Sequence, residues 1–194
     1  MSQDRSAERW RNISPQQKRK LSKALSKVLR HSPESIGLTL DANGWAQVSE
    51  VLLRLRVGAL TLDQSLLDEI VRSDEKQRYR YSEDRTKICA NQGHSVKVDL
   101  QLTPAIPPQF LYHGTTESAL DSIKAHGLQR RQRHHVHLGL DIEMTMKVAA
   151  RRGRPHLLEI RSLEMHKEGY VFYQTANNVW LIEHVPAEFV NWDK

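Results

Sequence analysis

A proline-rich segment near the middle of the chain constrains the possible folds more than any other feature. Residues 102–108 read Leu-Thr-Pro-Ala-Ile-Pro-Pro, and three prolines within five residues exclude a helix and disfavour a central strand. We therefore predict a linker over 102–108. It separates a flexible N-terminus (1–13) and a first domain (14–101) from a second domain (109–194). Both domains fall at the small end of the usual size range.

The charge balance favours an anionic partner. The chain of 194 residues carries 29 lysines and arginines against 23 aspartates and glutamates, a formal net charge of +6. Nucleic acid is the usual partner of such a chain, although a solvated surface with a modest excess of cations is an equal alternative.

Cysteine content and hydropathy indicate a cytoplasmic protein. Cys89 is the only cysteine, so no intramolecular disulfide can form and a reducing compartment fits. Residues 1–10 are charged and lack the apolar core of a signal peptide. No stretch reaches the ~18 apolar residues of a membrane span, so we expect no membrane association.

The first domain begins with a clearly signalled helix. Ser14 is placed as the N-cap, with proline at the first helical position and Gln17 completing a capping box. Apolar residues then recur at helical spacing as far as Leu29, whereas cations at positions 23, 27 and 30 share another face. Pro33 ends the helix.

The remaining elements of the first domain predict a winged helix. In order, we expect a short strand through Leu38 and Leu40, a returning strand over 45–48, helices capped by Ser49 and Thr61, and a hairpin of 78–81 with 86–90. Winged helices commonly hold nucleic acid, but small ones also serve as protein-docking modules. The fold alone therefore does not decide the function.

The second domain predicts further strands and helices, so that the fold class is α+β. In order, we expect a strand over 110–112 entering a turn at 113–116, a helix closed by Gly127, a strand over 136–140, a helix capped by Asp141, a strand over 157–160, a short helix over 163–167 and a hairpin over 171–182. Pockets in such a domain lie where strand ends meet glycine-containing turns.

Two cationic motifs of the first domain are candidates for anion binding. Arg30 and His31 end the first helix, where cations also simply favour the helix macrodipole. As a functional pair they would join an anion-binding cation to a group that titrates near neutral pH. Residues 76–80, Lys-Gln-Arg-Tyr-Arg, are either a charged edge strand or a row of guanidiniums aimed at phosphates.

Two polar motifs suggest contacts with nucleotides. Residues 91–95, Asn-Gln-Gly-His-Ser, are either an ordinary polar loop or donors to RNA phosphates and 2′-hydroxyls. Residues 113–116, His-Gly-Thr-Thr, are either a turn with a capping threonine or a close approach to a pyrophosphate. The dinucleotide fingerprint G-x-G-x-x-G is absent.

The densest cluster is Arg-Arg-Gln-Arg-His-His-Val-His-Leu over 130–138. His134, His135 and His137 could form a metal site, but His134 points away from the strand face that the other two share, and three arginines would oppose a dication. We therefore predict no metal.

Taken together, these motifs resemble the NAD-dependent RNA (tRNA) 2′-phosphotransferase family. Seven stretches occur in the family's order: Leu-Ser-Lys at 21–23 with Leu-Arg-His at 29–31, Asp-Ala-Asn-Gly-Trp at 41–45, Lys-Gln-Arg-Tyr at 76–79, Ala-Asn-Gln-Gly-His-Ser at 90–95, Leu-Tyr-His-Gly-Thr at 111–115, Arg-His-His-Val-His-Leu at 133–138 and Asn-Val-Trp-Leu at 178–181. Each motif alone is weak, but the ordered set is specific and covers nearly the whole chain.

The resemblance implies a winged-helix RNA lobe followed by an ADP-ribosyltransferase-like lobe that binds NAD. It implies the catalytic residues Arg30, His31, Arg78 and Arg133, with cations from both domains around one phosphorus. It assigns NAD binding to His113, Gly114, Thr115, His135 and His137. It assigns RNA binding to Lys23, Gln92, Gly93, His94 and Ser95. We expect a monomer.

Two residues depart from the family pattern. Gly139 stands where the family usually has serine, which removes one donor near the nucleotide. Cys89 stands where a basic residue is common, which predicts a weaker contact with one RNA phosphate.

The family's reaction transfers an RNA 2′-phosphate to the ADP-ribose part of NAD, and tRNA-like RNA is the implied partner. Two alternatives stay open. An ADP-ribosyltransferase acting on terminal nucleic-acid phosphates or on protein would leave a stable ADP-ribosylated product. A non-catalytic winged-helix protein would bind nucleic acid and would give the second domain's motifs no role.

Overall fold

The computed structural model describes residues 12–192, apart from the side chain of Arg152. The chain divides between Gln101 and Leu102 into two compact units. Both contain helices and sheet, which makes the protein α+β as predicted. None of the helices in the described part of the chain is long and apolar enough to cross a membrane.

The first unit holds short strands and three α-helices among its described residues. Its elements are α1 (Pro15–Arg30), a 3-10 helix (Pro33–Ile36), β1 (Trp45–Gln47), α2 (Val48–Arg54), β2 (Arg56–Val57), β3 (Leu60–Thr61), α3 (Gln64–Arg72), β4 (Tyr79–Tyr81) and β5 (Lys87–Ala90).

The predicted start of α1 is confirmed. The amide of Gln17 donates to Ser14 Oγ at 3.2 Å, and the amide of Ser14 donates to Gln17 Oε1 at 2.9 Å. These two bonds satisfy donors that the first turn of a helix leaves without intrahelical partners. The apolar face that includes Leu21, Leu25 and Leu29 is fully buried, and it fixes the helix to the first core.

The predicted flexible N-terminus falls mostly on residues 1–11, which lie outside the described residues. Ile13, which was included in that segment, is buried in the first core just before α1. The ordered part of the unit therefore begins before the N-cap.

Three local predictions in the first unit are wrong. Leu38 and Leu40 do not form a strand, because Pro33–Ile36 continues as a 3-10 helix and the amide of Leu38 donates back to the Pro33 carbonyl. Ser49 does not cap α2, which starts at Val48. Thr61 does not cap α3, because it pairs with Arg56 in a small hairpin.

Asp63 is the N-cap of α3, and its carboxylate accepts from the amide of Leu66 at 2.9 Å. The β2–β3 hairpin has two residues in each strand, too few for the alternation that identifies a strand in sequence.

The predicted hairpin of the first unit is confirmed. Strands β4 and β5 pair antiparallel, and β1 joins the other edge of β5 to give the order β1-β5-β4. Tyr79 is buried, and its hydroxyl donates to the Ser22 carbonyl of α1 at 2.9 Å. This bond holds the start of the hairpin against the first helix.

The second unit is built from small antiparallel sheets and short helices. Its elements are β6 (Leu111–Thr116), a 3-10 helix (Glu117–Ala119), α4 (Leu120–His126), β7 (Leu128–Gln129), β8 (Val136–Leu138), α5 (Ile142–Ala149), a 3-10 helix (Ala150–Arg152), β9 (Pro155–Ile160), α6 (Ser162–Lys167), β10 (Tyr173–Gln174), β11 (Trp180–Ile182), β12 (His184–Val185), a 3-10 helix (Ala187–Phe189) and β13 (Val190–Asn191).

Two sheets position the motifs of the second unit. One has the order β13-β9-β6, and the other has the order β10-β11-β8. The turn predicted at 113–116 is wrong, because β6 pairs with β9 without interruption from Leu111 to Thr116. The hydrogen-bonded ladder thus extends the strand through a sequence whose glycine and threonines suggested a turn.

The proline-rich segment packs along the second unit. The amide of Ala105 donates to the Phe172 carbonyl at 2.8 Å, and Pro104 forms an isolated bridge with Tyr173. Pro107 is buried. The segment is therefore an ordered edge of this unit, and the absence of amide hydrogens on its prolines limits it to such edge positions.

We expect Gly114→Ala to destabilise the second unit. A Cβ at this position would lie 2.6 Å from the Thr145 carbonyl oxygen and 2.9 Å from the Ala149 Cβ of α5. Overpacking of this kind typically costs about 1–3 kcal/mol, and the free energy of unfolding from urea denaturation would measure it. Thr116→Ala, which adds no atom to the same strand, is the control. Equal stability of Gly114→Ala and the parent protein would contradict the close packing.

Candidate functional site

In the first unit, three separate segments meet at the C-terminal end of α1. Arg30 Nη2 donates a long bond to the Arg78 carbonyl at 3.4 Å, just before β4. The amide of Ser95, from the loop after β5, donates to the Arg30 carbonyl at 2.9 Å, and the amide of Asn91 donates to the Arg78 carbonyl at 2.8 Å. Arg30 and Arg78, which lie 48 residues apart in sequence, are thus neighbours.

Arg78 is held by a buried carboxylate. Arg78 Nη1 pairs with Asp74 Oδ1, and the amide of Arg78 donates to Asp74 Oδ2 at 2.6 Å. The Asp74 side chain is only 6 % exposed, whereas that of Arg78 is 26 % exposed. The Asp74 carboxylate therefore fixes one edge of the guanidinium. It orients a planar group that is suited to binding a phosphate through two parallel hydrogen bonds. Sequence reasoning missed Asp74.

His31 is held by Ser95. It follows α1 as the C-cap, and its Nδ1 lies 3.0 Å from Ser95 Oγ. A hydrogen bond at Nδ1 fixes the orientation of the ring, with Nε2 on its opposite edge, an arrangement typical of histidines that transfer protons. Ser95, which was predicted to contact RNA, is exposed, and its hydroxyl contacts the histidine.

The other residues of the 91–95 loop are more enclosed than predicted. Asn91 is buried; its Nδ2 donates to the Gln77 carbonyl at 2.6 Å, and its Oδ1 accepts from Arg80 at 2.8 Å. Gly93 is buried with a positive φ of 86°, and His94 is only 1 % exposed. Such burial disfavours a direct RNA contact by the His94 ring. Asn91, which belongs to this motif but was not assigned to RNA binding, joins the two segments.

Two further predicted RNA contacts differ in exposure. Gln92 is half-buried in the same loop. Lys23 is exposed on α1, seven residues before Arg30, which is two helical turns or ~10 Å along the axis.

In the second unit, three predicted residues form a chain of contacts. His113 Nδ1 lies 2.9 Å from the His137 carbonyl oxygen, so this nitrogen carries the proton. Arg133 Nη1 lies 3.4 Å from His137 Nδ1, and because a guanidinium only donates, the imidazole nitrogen accepts. Gly114 and Thr115 follow His113 within β6. The structure therefore groups Arg133 with four of the five predicted cofactor-binding residues.

His135 lies in a different environment. Its ring meets Tyr173 edge to face at 5.6 Å. It lines a cavity of about 910 Å³, together with residues that include Arg130, His134, Tyr173 and Glu183. Burial lowers the pKa of His135, and the nearby His134 and Arg130 lower it further, which favours the uncharged ring at neutral pH. His113, Gly114, Thr115 and His137 do not line this cavity.

The histidines of the 130–138 cluster do not converge. His137 contacts Arg133, whereas His135 contacts Tyr173. Within residues 12–192 there is no group of three histidine, cysteine, aspartate or glutamate side chains placed to hold a metal ion.

The structure shows what surrounds Gly139 and Cys89, the two residues that depart from the family pattern. A Cβ at Gly139 would lie 2.8 Å from Thr145 Oγ1, so serine at this position requires that threonine to move. Cys89 is fully buried in the central strand of the first sheet, and burial raises the pKa of its thiol to about 11. A side chain at this buried position does not face a surface phosphate, so the expected weakening of an RNA contact there is not supported.

Comparisons with known proteins agree with the order of the motifs. The sequence model of the RNA 2′-phosphotransferase, Tpt1/KptA family matches residues 16–184. A probable RNA 2′-phosphotransferase from Flavobacterium johnsoniae is 47% identical over 172 residues, covering 89% of this chain and 94% of the relative. Relatives of the same name from Nostoc punctiforme and Fusobacterium nucleatum are 46% and 44% identical, covering 88% and 89% of this chain and 94% and 97% of their own lengths. The chain therefore belongs to the RNA 2′-phosphotransferase, Tpt1/KptA family.

Proposed function

We propose that this protein removes a 2′-phosphate from RNA by transferring it to NAD. The products are RNA with a free 2′-hydroxyl, ADP-ribose 1″,2″-cyclic phosphate and nicotinamide. The observation that carries this proposal is the family match over 16–184, which includes every predicted catalytic residue. The substrate we propose is a tRNA-like RNA, and NAD is consumed as the co-substrate.

The architecture proposed for this function is an RNA lobe followed by an NAD lobe. In the first unit, the succession of α1, α2, α3 and the β4–β5 hairpin supports a winged helix. In the second unit, small antiparallel sheets flanked by short helices support an ADP-ribosyltransferase-like lobe. Fold resemblance alone does not establish either activity.

The reaction has two steps. In the first, an oxygen of the RNA 2′-phosphate forms a bond to C1″ of the nicotinamide ribose, and the bond from C1″ to nicotinamide breaks. In the second, the O2″ hydroxyl of that ribose loses its proton and attacks the phosphorus, the bond from phosphorus to the RNA 2′-oxygen breaks, and that oxygen takes up a proton. The nucleophile of the first step is already an anion, so no general base is needed to create it.

Arg30 and Arg78 are the proposed phosphate ligands of the first unit. The Arg30 guanidinium contacts the backbone carbonyl of Arg78 at the end of α1, and Asp74 orients the Arg78 guanidinium. Preorganised cations of this kind stabilise the charge that builds on phosphorus during transfer.

His31 is the proposed general acid. As an imidazolium it would protonate the departing RNA 2′-oxygen in the second step. Its contact with Ser95 supports this role, because a proton donor must hold its reactive nitrogen within hydrogen-bond reach of the leaving atom.

Arg133 and the residues around it are the proposed NAD side of the reaction. Thr115 and Arg133 supply donors suited to a pyrophosphate, and Gly114 lets the strand approach α5 closely. The uncharged His135 ring beside Tyr173 suits stacking or hydrogen bonding with a nucleoside. We assign Arg133 to the charge that develops on phosphorus in the second step.

The RNA contacts we retain are Lys23, Gln92 and the backbone of Gly93. Lys23 is exposed, as a phosphate ligand must be. Ser95 fits better as the partner of His31, and His94 fits better as a buried support of the loop.

A single-turnover assay tests the proposal. A 2′-phosphorylated oligoribonucleotide is mixed with the protein with and without NAD, and an oligonucleotide with a 2′-hydroxyl is the control. We expect the phosphate to leave only when NAD is present. Phosphate loss at the same rate without NAD would contradict the proposal. A stable ADP-ribosylated product would favour the transferase alternative instead, and binding without any reaction would favour the non-catalytic one.

We expect Ser95→Ala to lower kcat by about five- to tenfold, because one positioning hydrogen bond contributes about 1 kcal/mol. Since Ser95 then acts through His31 rather than on RNA, KM for RNA should change less than kcat. Steady-state kinetics with saturating NAD would measure both. Ser35→Ala, which removes an exposed hydroxyl that donates to the Ser32 carbonyl, is the control. A raised KM with an unchanged kcat would instead make Ser95 an RNA ligand.

A further inference from the structure

Helix α1 carries a row of cations along one face. Its sequence, Pro-Gln-Gln-Lys-Arg-Lys-Leu-Ser-Lys-Ala-Leu-Ser-Lys-Val-Leu-Arg, contains no acidic residue. At 100° of rotation per residue, Lys20, Lys23, Lys27 and Arg30 fall within a strip about 80° wide. The three lysines are exposed, whereas the opposite face carries the leucines of the first core.

This row opposes the stability of the helix. Like charges three and four residues apart repel one another, and only Lys27 and Arg30, in the last turn, are favoured by the macrodipole. Lys20, Lys23 and Lys27 make no ion pair with any carboxylate between residues 12 and 192. Glutamates among these lysines would have stabilised the helix, so the arrangement fits an anionic partner outside the chain.

The row leads directly to the proposed phosphate ligands. It ends at Arg30, which contacts Arg78 and precedes His31. From Lys20 to Arg30 the helix rises ~15 Å. A stacked nucleic-acid strand, with one phosphate per ~3.4 Å, presents about four phosphates over that length.

Helix α3 is less suitable than α1 for binding nucleic acid. In the proposed winged helix, α3 would be the docking helix, but it presents Asp68 and Glu69. Asp68 accepts from Tyr81 and Arg85, and Glu69 pairs with Arg72. These carboxylates do not bind phosphates, and they occupy Arg72 and Arg85, the arginines beside them.

We propose that Lys20, Lys23 and Lys27 form a track for the RNA backbone beside the 2′-phosphorylated nucleotide. The inference rests on the proposed function, and it adds that the RNA backbone binds along α1 and not along α3. The track recognises consecutive phosphates, so it is independent of base sequence and weakens with salt.

The test compares the parent protein with the triple variant Lys20→Ala/Lys23→Ala/Lys27→Ala. Binding is measured without NAD, by fluorescence anisotropy, for a 2′-phosphorylated dinucleotide and for a single strand of about a dozen nucleotides, over a range of salt concentrations. The control variant Lys124→Ala/Lys147→Ala/Lys167→Ala removes three exposed lysines of the second unit. Circular dichroism checks that each variant folds, and a Lys→Gln version of the triple variant replaces the alanine version if it does not.

We expect the triple variant to bind the longer strand at least tenfold more weakly at low salt. The slope of log affinity against log salt should fall by about 2, because each single-strand phosphate contact contributes about 0.7. Dinucleotide binding and the control variant should stay near the parent. An unchanged slope for the longer strand would overturn the track. If the track is present but no NAD-dependent phosphate loss occurs, the proposed function fails while the track stands.

Discussion

Replacing Arg78 with alanine is expected to lower kcat for 2′-phosphate removal about 100- to 1,000-fold, the usual effect of losing one preorganised donor to a developing charge. The expectation rests on the way Asp74 holds this side chain, while Arg30 contacts the backbone carbonyl of the same residue. Single-turnover rates at saturating RNA and NAD would measure the effect. A raised KM with an unchanged kcat would mean that Arg78 stabilises the bound substrate and the transition state equally.

The Asp74→Asn variant tests whether the reaction needs Arg78 to be oriented by Asp74 or needs only its positive charge. The amide keeps the shape of the side chain and an acceptor for the backbone, but it loses the ion pair. We expect an intermediate loss of kcat, between those of the parent and Arg78→Ala. Glu69→Gln, which breaks the neighbouring pair with Arg72, is the matched control and should leave the rate unchanged. Equal rates for Asp74→Asn and the control would show that Arg78 needs no support.

Replacing Arg133 with alanine is expected to stop the reaction after its first step. If Arg133 stabilises the charge on phosphorus in the second step, its loss should slow that step about 100- to 1,000-fold. ADP-ribosylated RNA should then accumulate and should migrate more slowly in a denaturing gel. The step that forms it should be much less affected.

Arg131→Ala is the control for this result. Arg131 lies two residues before Arg133, is exposed, and has a positive φ of 54° in the turn that leads to β8. Its removal lowers the charge of the same loop by one unit without touching His137. Normal turnover by Arg133→Ala would remove Arg133 from the catalytic set. If Arg131→Ala also stopped the reaction after the first step, the effect would come from the positive charge of the loop and not from Arg133 itself.

Capping motifs and residue spacing correctly predicted the elements that depend on sequence positions only a few residues apart. The capping box of α1, the helix capped by Asp141 and the β4–β5 hairpin all follow from short-range spacing. The same rules failed where longer-range pairing decided the outcome. Residues 113–116 look like a turn in isolation, but pairing with β9 makes them a strand.

The members of the candidate site came from the family resemblance, which implied Arg30, His31 and Arg78 and stays a prediction for them. The contacts that hold these residues could not be predicted. Nothing in the sequence showed that Ser95 would hold His31 or that Asp74 would hold Arg78. The first of these pairs lies 64 residues apart, beyond any periodic signal. The second lies in a non-helical turn, where spacing alone carries little information.

The fate of the phosphorus atom tests the central claim most directly. An oligoribonucleotide with a radiolabelled 2′-phosphate is incubated with the protein and NAD, and the labelled products are separated by chromatography. Transfer to NAD predicts that the label appears in ADP-ribose 1″,2″-cyclic phosphate, in an amount equal to the nicotinamide released. Label recovered as inorganic phosphate, or retained on the RNA while nicotinamide accumulates, would contradict it.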